Sequence, residues 1–369
     1  MLNDIAVRKR QYFKLNSKLH YFDDEQIRTL IGKPDGEPHR SKTLNIIVDG
    51  SRVFIKRIPL AKLDYENPFA TRNHYQLPHS FNYNVGTLGI NVYREVLAHV
   101  KTTNWVLEGS QEHFPLMYHF RVLPIVKKDA RKGEKDDYAE LEEYQRYLKY
   151  WDNNPNIRRY LDDKISAEYE MVLFLEYLPT TLKDWQETNI SKLDSVLVKL
   201  RSIIDFTRSQ GIVHFDAHFG NIMICEGVPY LTDFGLVLDE DFDLDEGERE
   251  FMQAHSDIDY GEYLSSTINH LALVYKHLPE VNKANIFQRF DMNKFTSSHD
   301  TVMTLLRNIE ESCGEEMLNL SPDYVETILK YRDIIIYMLS FAFELENSDS
   351  KDNIFDNLKL ANLLKKAGF

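Results

Sequence analysis

The passage Ile212-Val-His-Phe-Asp-Ala-His-Phe-Gly-Asn-Ile-Met-Ile224, followed by Tyr230-Leu-Thr-Asp-Phe-Gly235, decides how the rest of the chain is read. Two short apolar runs, Ile222 to Cys225 and Pro229 to Thr232, predict a hairpin that brings Asn221 next to Asp233. Asp216 lies five residues before Asn221 on one loop and seventeen before Asp233. Phosphoryl transfer from a nucleotide needs oxygen ligands for the metal ions that bridge the phosphates, and a carboxylate beside the accepting hydroxyl. These three side chains supply such a set.

On these residues the chain resembles the protein-kinase-like superfamily. His214-Phe-Asp216-Ala-His218-Phe-Gly-Asn221 is similar to that family's catalytic loop, and Asp233-Phe-Gly235 to its metal-binding triplet. Six matching positions at the right separation arise by chance on the order of 10⁻⁵ in a chain this long. Other landmarks follow in the family's order. Val53-Phe-Ile-Lys56 resembles its lysine-bearing strand, and Glu95, in an Arg-Glu-Val-Leu helix, the ion-pair partner of that lysine. Leu175-Glu176-Tyr-Leu178 resembles the hinge that grips adenine through backbone groups, and Thr181-Leu-Lys-Asp-Trp185 the helix opening after it.

The resemblance implies an ATP- and Mg²⁺-dependent phosphotransferase, a divergent Ser/Thr protein kinase transferring the γ-phosphate to a hydroxyl. Asp216 would act on that hydroxyl, Lys56 with Glu95 would position the phosphates, and Asn221 with Asp233 would hold the metal. Leu175, Glu176 and Leu178 would line the nucleotide pocket. His214 matches a structural position of the family, whereas His218 has either a structural or a phosphate-facing role.

Departures from the pattern open alternatives. No Gly-x-Gly-x-x-Gly is present; Gly32 and Gly36, in Ile31-Gly-Lys-Pro-Asp-Gly36, are the nearest pair to cover the phosphates. Phe215 stands where the family has Arg, and residues 236–255 contain no Ser, Thr or Tyr, so activation by phosphorylation there is not expected. No Ala-Pro-Glu follows, which is similar to haspin-like and small-molecule kinases. The alternatives are therefore a kinase for a sugar, amine or inositol-type acceptor, and a nucleotide-binding pseudokinase scaffold.

Working outward, an Asp49-Gly50 pair joins Leu44–Val48 to Ser51–Ile58, the favoured signal for a two-residue hairpin. Ile27 to Ile31 reads as a strand or as a short helix capped by Asp23 or Asp24. Residues 59–90, with three prolines and two glycines, read as an irregular excursion. Val92, Val96 and Val100 share a helix face. Lys127 to Lys135 reads as a solvated loop leading into a helix over 137–151, which carries Leu141, Tyr144, Leu148 and Trp151 and stops at Asn154-Pro155. Its aromatic stripe suits core packing or the docking of a partner. Met171 to Leu178 reads as a buried strand. Helices are expected at Ser195–Ser209, over 264–278 and over 324–345.

The fold class expected is α+β: a bilobal protein-kinase-like fold with a β-rich N-lobe over 27–178, carrying insertions near 59–90 and 126–168. A helical C-lobe over 179–369 and an N-terminal extension over 1–26 complete it. The insertions resemble those in kinase-like proteins of giant viruses and intracellular bacteria, which would place the chain in a host cytosol.

Composition supports a soluble cytoplasmic protein. The chain has 369 residues and a formal net charge of −14, which disfavours general nucleic-acid binding. Its two cysteines, Cys225 and Cys313, cannot build a disulfide framework, and His74, His79, His113 and His119 show no zinc spacing. No signal peptide is visible, and the longest apolar run, Ile334–Phe343, is about half a membrane span. Half of the net charge sits between Asp239 and Glu250, where eight acidic residues accompany one Arg. That run reads as a solvated flap or as a device that selects a basic acceptor.

Overall fold

The computed structural model describes residues 4–32, 41–125, 142–293, 295–314, 316–348 and 350–369. The fold is α+β. Helix α1 (Ile5–Tyr21) opens it, capped by Asp4, and buries Arg8, Leu15 and Leu19. It belongs to the core rather than to an extension: Asn16 donates from Nδ2 to the carbonyl of Tyr118 at 2.7 Å.

The Ile27–Ile31 stretch is helical. In α2 (Asp24–Ile31) the Asp23 carboxylate accepts from the backbone N–H of Gln26, whose side chain accepts from that of Asp23. This reciprocal cap satisfies two helix-end donors, and Ile27 and Ile31, one turn apart, bury together.

Four strands form the larger sheet, in the order β1-β2-β4-β3. β1 (Lys42–Val48) and β2 (Ser51–Pro59) make the expected hairpin, with Asp49 and Gly50 at φ of 52° and 80°. Both angles are left-handed, as a type I′ turn requires. β3 (Met117–Pro124) and β4 (Tyr169–Glu176) complete the sheet, all pairs antiparallel. The β2–β4 register sets Lys56 opposite Leu173.

The 59–90 excursion contains α3 (Lys62–Glu66) and a 3-10 turn at His79–Asn82, and it is far from loose. Tyr75, Leu77, Phe81 and Tyr83 are buried in the main core. Asn73 clamps Leu77 through both its side-chain amide oxygen and nitrogen. Asn91 both caps α4 (Val92–Glu108) and donates to the carbonyls of Ala70 and Arg72.

Lys127–Lys135, Leu141 and the start of the 137–151 helix lie outside the described residues. The described part, α5 (Glu142–Tyr150), is followed at once by α6 (Pro155–Ile165). Asn154-Pro155 therefore starts a helix as well as ending one: Asn154 caps the amides of Asn156 and Ile157, and proline suits the first helical position, where no N–H is needed. Tyr144, Leu148 and Trp151 are all buried, with Trp151 tilted against Phe81 at 5.0 Å. These three residues of the stripe are core.

The second half is mainly helical. After β5 (Thr180–Thr181) come α7 (Leu182–Asn189) and α8 (Leu193–Ser209). β6 (Ile212–Val213) pairs with β9 (Leu238–Asp239), enclosing the hairpin of β7 (Ile222–Cys225) and β8 (Val228–Leu231). The chain continues through α9 (Glu246–Ala254), α10 (Ile258–Ser265) and α11 (Ile268–Lys276). It ends with α12 (Glu280–Arg289), α13 (Ser298–Arg307), α14 (Pro322–Asn347) and α15 (Asn357–Lys366). The single helix expected over 264–278 is broken between α10 and α11. Tyr324 holds the break open, its hydroxyl donating to the carbonyl of Thr267 and accepting from the N–H of Leu271. Among the described residues no helix is long and apolar enough to cross a membrane.

His255, after α9, ties the excursion to the helical half. Its Nδ1 lies 2.6 Å from the Phe251 carbonyl and its Nε2 lies 2.5 Å from the Tyr83 hydroxyl. Burial lowers its pKa from 6.5 to about 4. A lowered histidine pKa means stability present above about pH 6.5 and lost as the pH falls toward 4. His255→Phe is therefore expected to be less stable than the natural protein at pH 7, with the gap narrowing by about 2 kcal/mol at pH 5. Urea midpoints at the two pH values check this; a constant gap would contradict it.

Candidate functional site

Lys56 projects from β2 between two carboxylates. Its Nζ lies 2.7 Å from Oε1 of Glu95 on α4 and 2.7 Å from Oδ1 of Asp233 after β8. Burial alone would strip its charge, but Asp233 and Glu95 outweigh it and raise its pKa. Asp233 responds in the opposite sense: burial works against ionisation, yet the charge and hydrogen bond of Lys56 bring it down to about 2. Glu95 is raised by burial, with Lys56 pulling it back only in part. Lys56 favours the charged form of both carboxylates, while Asp233 and burial oppose that of Glu95.

The β7–β8 hairpin has the expected register, Ile222 opposite Leu231. It sets Asn221 beside Thr232, whose N–H and hydroxyl both donate to the Asn221 carbonyl. The Asn221 amide donates to Oδ2 of Asp216 at 2.6 Å and to its carbonyl at 3.1 Å. Asp216 is pushed well above the usual carboxyl range, first by burial and then by Asp233 and Glu262. A cation placed near Asn221 and Asp233 would relieve that repulsion. The donor chemistry fits magnesium: the Asn221 amide oxygen and the Asp233 carboxylate are hard oxygens, and Mg²⁺ takes one or two such groups plus phosphates and water. Among the described residues no group of three or more His, Cys, Asp or Glu could hold a metal by itself.

Two adjoining cavities meet at this cluster. The first, about 410 Å³, is lined by Lys56, Glu95, Leu175, Glu176, Leu178, Asn221 and Asp233, so seven of the expected site residues converge. The second, about 350 Å³, shares Lys56, Glu95 and Asp233 and adds Asp216. Gly32 lines neither: it ends α2 and its carbonyl accepts from Arg57. Gly36 lies outside the described residues. The Glu176 side chain does not face a ligand, since Arg8 of α1 grips both its oxygens at 2.9 and 2.8 Å.

Several residues that shape the site escaped sequence reading. Asp259 on α10 accepts the backbone N–H groups of His214 and Phe215, each at 2.8 Å. Phe215 has φ of 62°, a costly conformation for a bulky side chain, and this clamp holds it there. Its ring stacks on Phe251 at 5.4 Å, so the position before Asp216 makes an apolar contact. His99 on α4 and His214 both pack edge-on to Phe234, at 4.8 and 5.3 Å. Both histidines are buried, and burial lowers their pKa values to about 3 and 4, so they serve as neutral structural rings. His218 turns back on its own loop, Nδ1 accepting from Gly220 and Nε2 3.4 Å from Asp216.

The acidic run is mostly exposed, six of its eight carboxylates facing solvent, while five of the eight also have partners within the fold. Asp239 and Asp241 both pair with Lys101, Asp243 with Arg72, and Asp245 caps α9. Glu248 forms a fully buried ion pair with Arg94 of α4 at 2.7 Å.

Removing the Asp259 carboxylate would orphan two buried donors. Asp259→Ala is expected to cost about 2–4 kcal/mol in urea unfolding, with Asp259→Asn intermediate. Equal stability of all three proteins would show that the clamp is not needed to hold the loop. No family model matches the chain and no curated protein matches it.

Proposed function

We propose that the chain is an ATP- and Mg²⁺-dependent phosphotransferase with a protein-kinase-like, two-lobed arrangement, moving the γ-phosphate to a hydroxyl group. The observation that carries the reading is Lys56 bridging Glu95 and Asp233, with Asp216 and Asn221 completing the cluster at the edge of a cavity. In this reading the 410 Å³ cavity takes the nucleotide, the adenine lying between Leu175 and Leu178 and the phosphates reaching Lys56. Its size falls in the range of small-molecule and cofactor sites.

Asn221 and Asp233 would hold the metal, which when bound offsets phosphate charge. Lys56 aligns the phosphates, kept in place by Glu95. Asp216 orients the acceptor hydroxyl and takes its proton. Asp259 fixes the loop on which Asp216 stands, and Phe215 dispenses with a charged switch at that point.

A divergent Ser/Thr protein kinase is one form of this function, and a small-molecule kinase is the other. The second cavity, which meets Asp216 behind the 59–90 excursion, favours the latter.

Asp216→Ala is expected to lower transfer from labelled ATP by about 10²–10⁴-fold while leaving ATP affinity, measured by calorimetry, nearly unchanged. Lys56→Met should weaken ATP binding itself. Undiminished transfer by Asp216→Ala would sink the assignment. Tight ATP binding with no turnover by the natural protein would make the chain a nucleotide-binding scaffold instead.

A further inference from the structure

Lys164, on α6, is a buried cation that the proposed chemistry leaves without a task. Its side chain is 2% exposed and lines the second cavity. Among the described residues its ammonium group makes no hydrogen bond or ion pair, and it lies over the Tyr160 ring, 5.2 Å from Nζ to the centroid. Asp64 and Glu95 attract it, but neither pairs with it, since Glu95 is taken by Lys56. A buried ammonium with no directly paired anion is costly, and an oxyanion entering the cavity would offset that cost.

The rest of the cavity suits a small polar molecule. Ser41 and Thr43 of the β1 edge, Thr87 and the Gly89 backbone form its walls, with Asp216 and Asp233 at the side shared with the first cavity. The excursion closes firmly here. Gly89, at φ of 76°, approaches so near that an added Cβ would lie 2.7 Å from the carbonyl oxygen of Gly235. Tyr160 of α6 donates to the Gly89 carbonyl at 2.9 Å, so the helix that carries Lys164 also holds this wall.

We propose that the second cavity is the acceptor site, and that it takes a small hydroxylated molecule carrying an oxyanion, phosphate or carboxylate, which pairs with Lys164. This rests on the phosphotransferase reading and names its substrate class. In the transfer, the acceptor oxygen bonds to the γ-phosphorus as that phosphorus parts from its bridging oxygen. ADP leaves with the bond electrons, and the hydroxyl proton passes to Asp216. Lys164 is a positioning and specificity residue, fixing the acceptor's charged end.

The test compares the natural protein with Lys164→Met and with Thr87→Phe, which fills the cavity. Inorganic phosphate and acetate serve as separate probes in calorimetry, and ATP and ADP are titrated in parallel. The expected result is about tenfold weaker binding of at least one probe in both variants, with ATP and ADP affinities unchanged. Probe affinity that neither variant alters, or no binding of either probe to the natural protein, would overturn the proposal. A loss of ATP but not ADP affinity in Lys164→Met would also overturn it, by assigning the anion to the nucleotide's terminal phosphate. A second arm offers labelled ATP with sugar phosphates, sugar acids, the parent sugars and a basic peptide. Preference for the charged sugars, abolished in Lys164→Met, is expected; preference for the peptide or the neutral sugars contradicts the assignment. Lys164-dependent probe binding without transfer to any acceptor would leave the pocket standing and remove the phosphotransferase reading.

Discussion

One buried ammonium group, that of Lys56, organises the molecule. Burial works against its charge, and two carboxylates offset that cost, one arriving from α4 and one from the end of β8. Buried ion pairs add little net stability over an apolar core, since desolvation consumes most of the attraction. What they give here is geometry. The β2–β4 register, the position of α4 and the β7–β8 hairpin must all be correct before the three charges can meet. The second buried pair, Arg94 with Glu248, fixes the same helix from its other side and holds the segment after Gly235 against it.

What could be read from the sequence was local. The Asp49-Gly50 turn, the β7–β8 hairpin and the spacing of Asp216, Asn221 and Asp233 depend on residues near one another in the chain, and each appears as expected. Lys56 and Glu95 were legible because strand and helix each carry a short pattern around them. Asp259, Arg8 and Lys164 carry no such pattern. Their partners lie 44 and 45 residues away for Asp259 and 168 for Arg8, while Lys164 faces a cavity rather than a partner. Nothing local distinguishes such a residue from a surface charge.

Punctuation misled in a different way. Proline and asparagine at 154–155 signal a boundary, but a boundary is both an end and a beginning, and only packing showed that α6 follows directly. The prolines and glycines of 59–90 likewise signal irregular backbone, which is correct, without indicating that Tyr75, Leu77, Phe81 and Tyr83 would anchor it. Irregular and mobile are separate properties: a segment with few repeating hydrogen bonds can be held by side-chain amides and rings. Charge runs need the same care, since the acidic stretch after Gly235 is mostly exposed and yet supplies a helix cap and ion pairs to Lys101, Arg72 and Arg94.

The grip of Arg8 on Glu176 has a consequence for how the chain is made. Arg8 emerges from the ribosome 168 residues ahead of its partner. At about 5–20 residues per second, that is a wait of roughly 8–34 s. For most of this time α1 has no β3 to pack on, and an isolated helix of its length is marginal in water. Helix α1 is thus made well before the residue that fixes it in place. Its arrival closes the strand pair that leads into the first cavity, and that end of the cavity assembles only once Glu176 has been made.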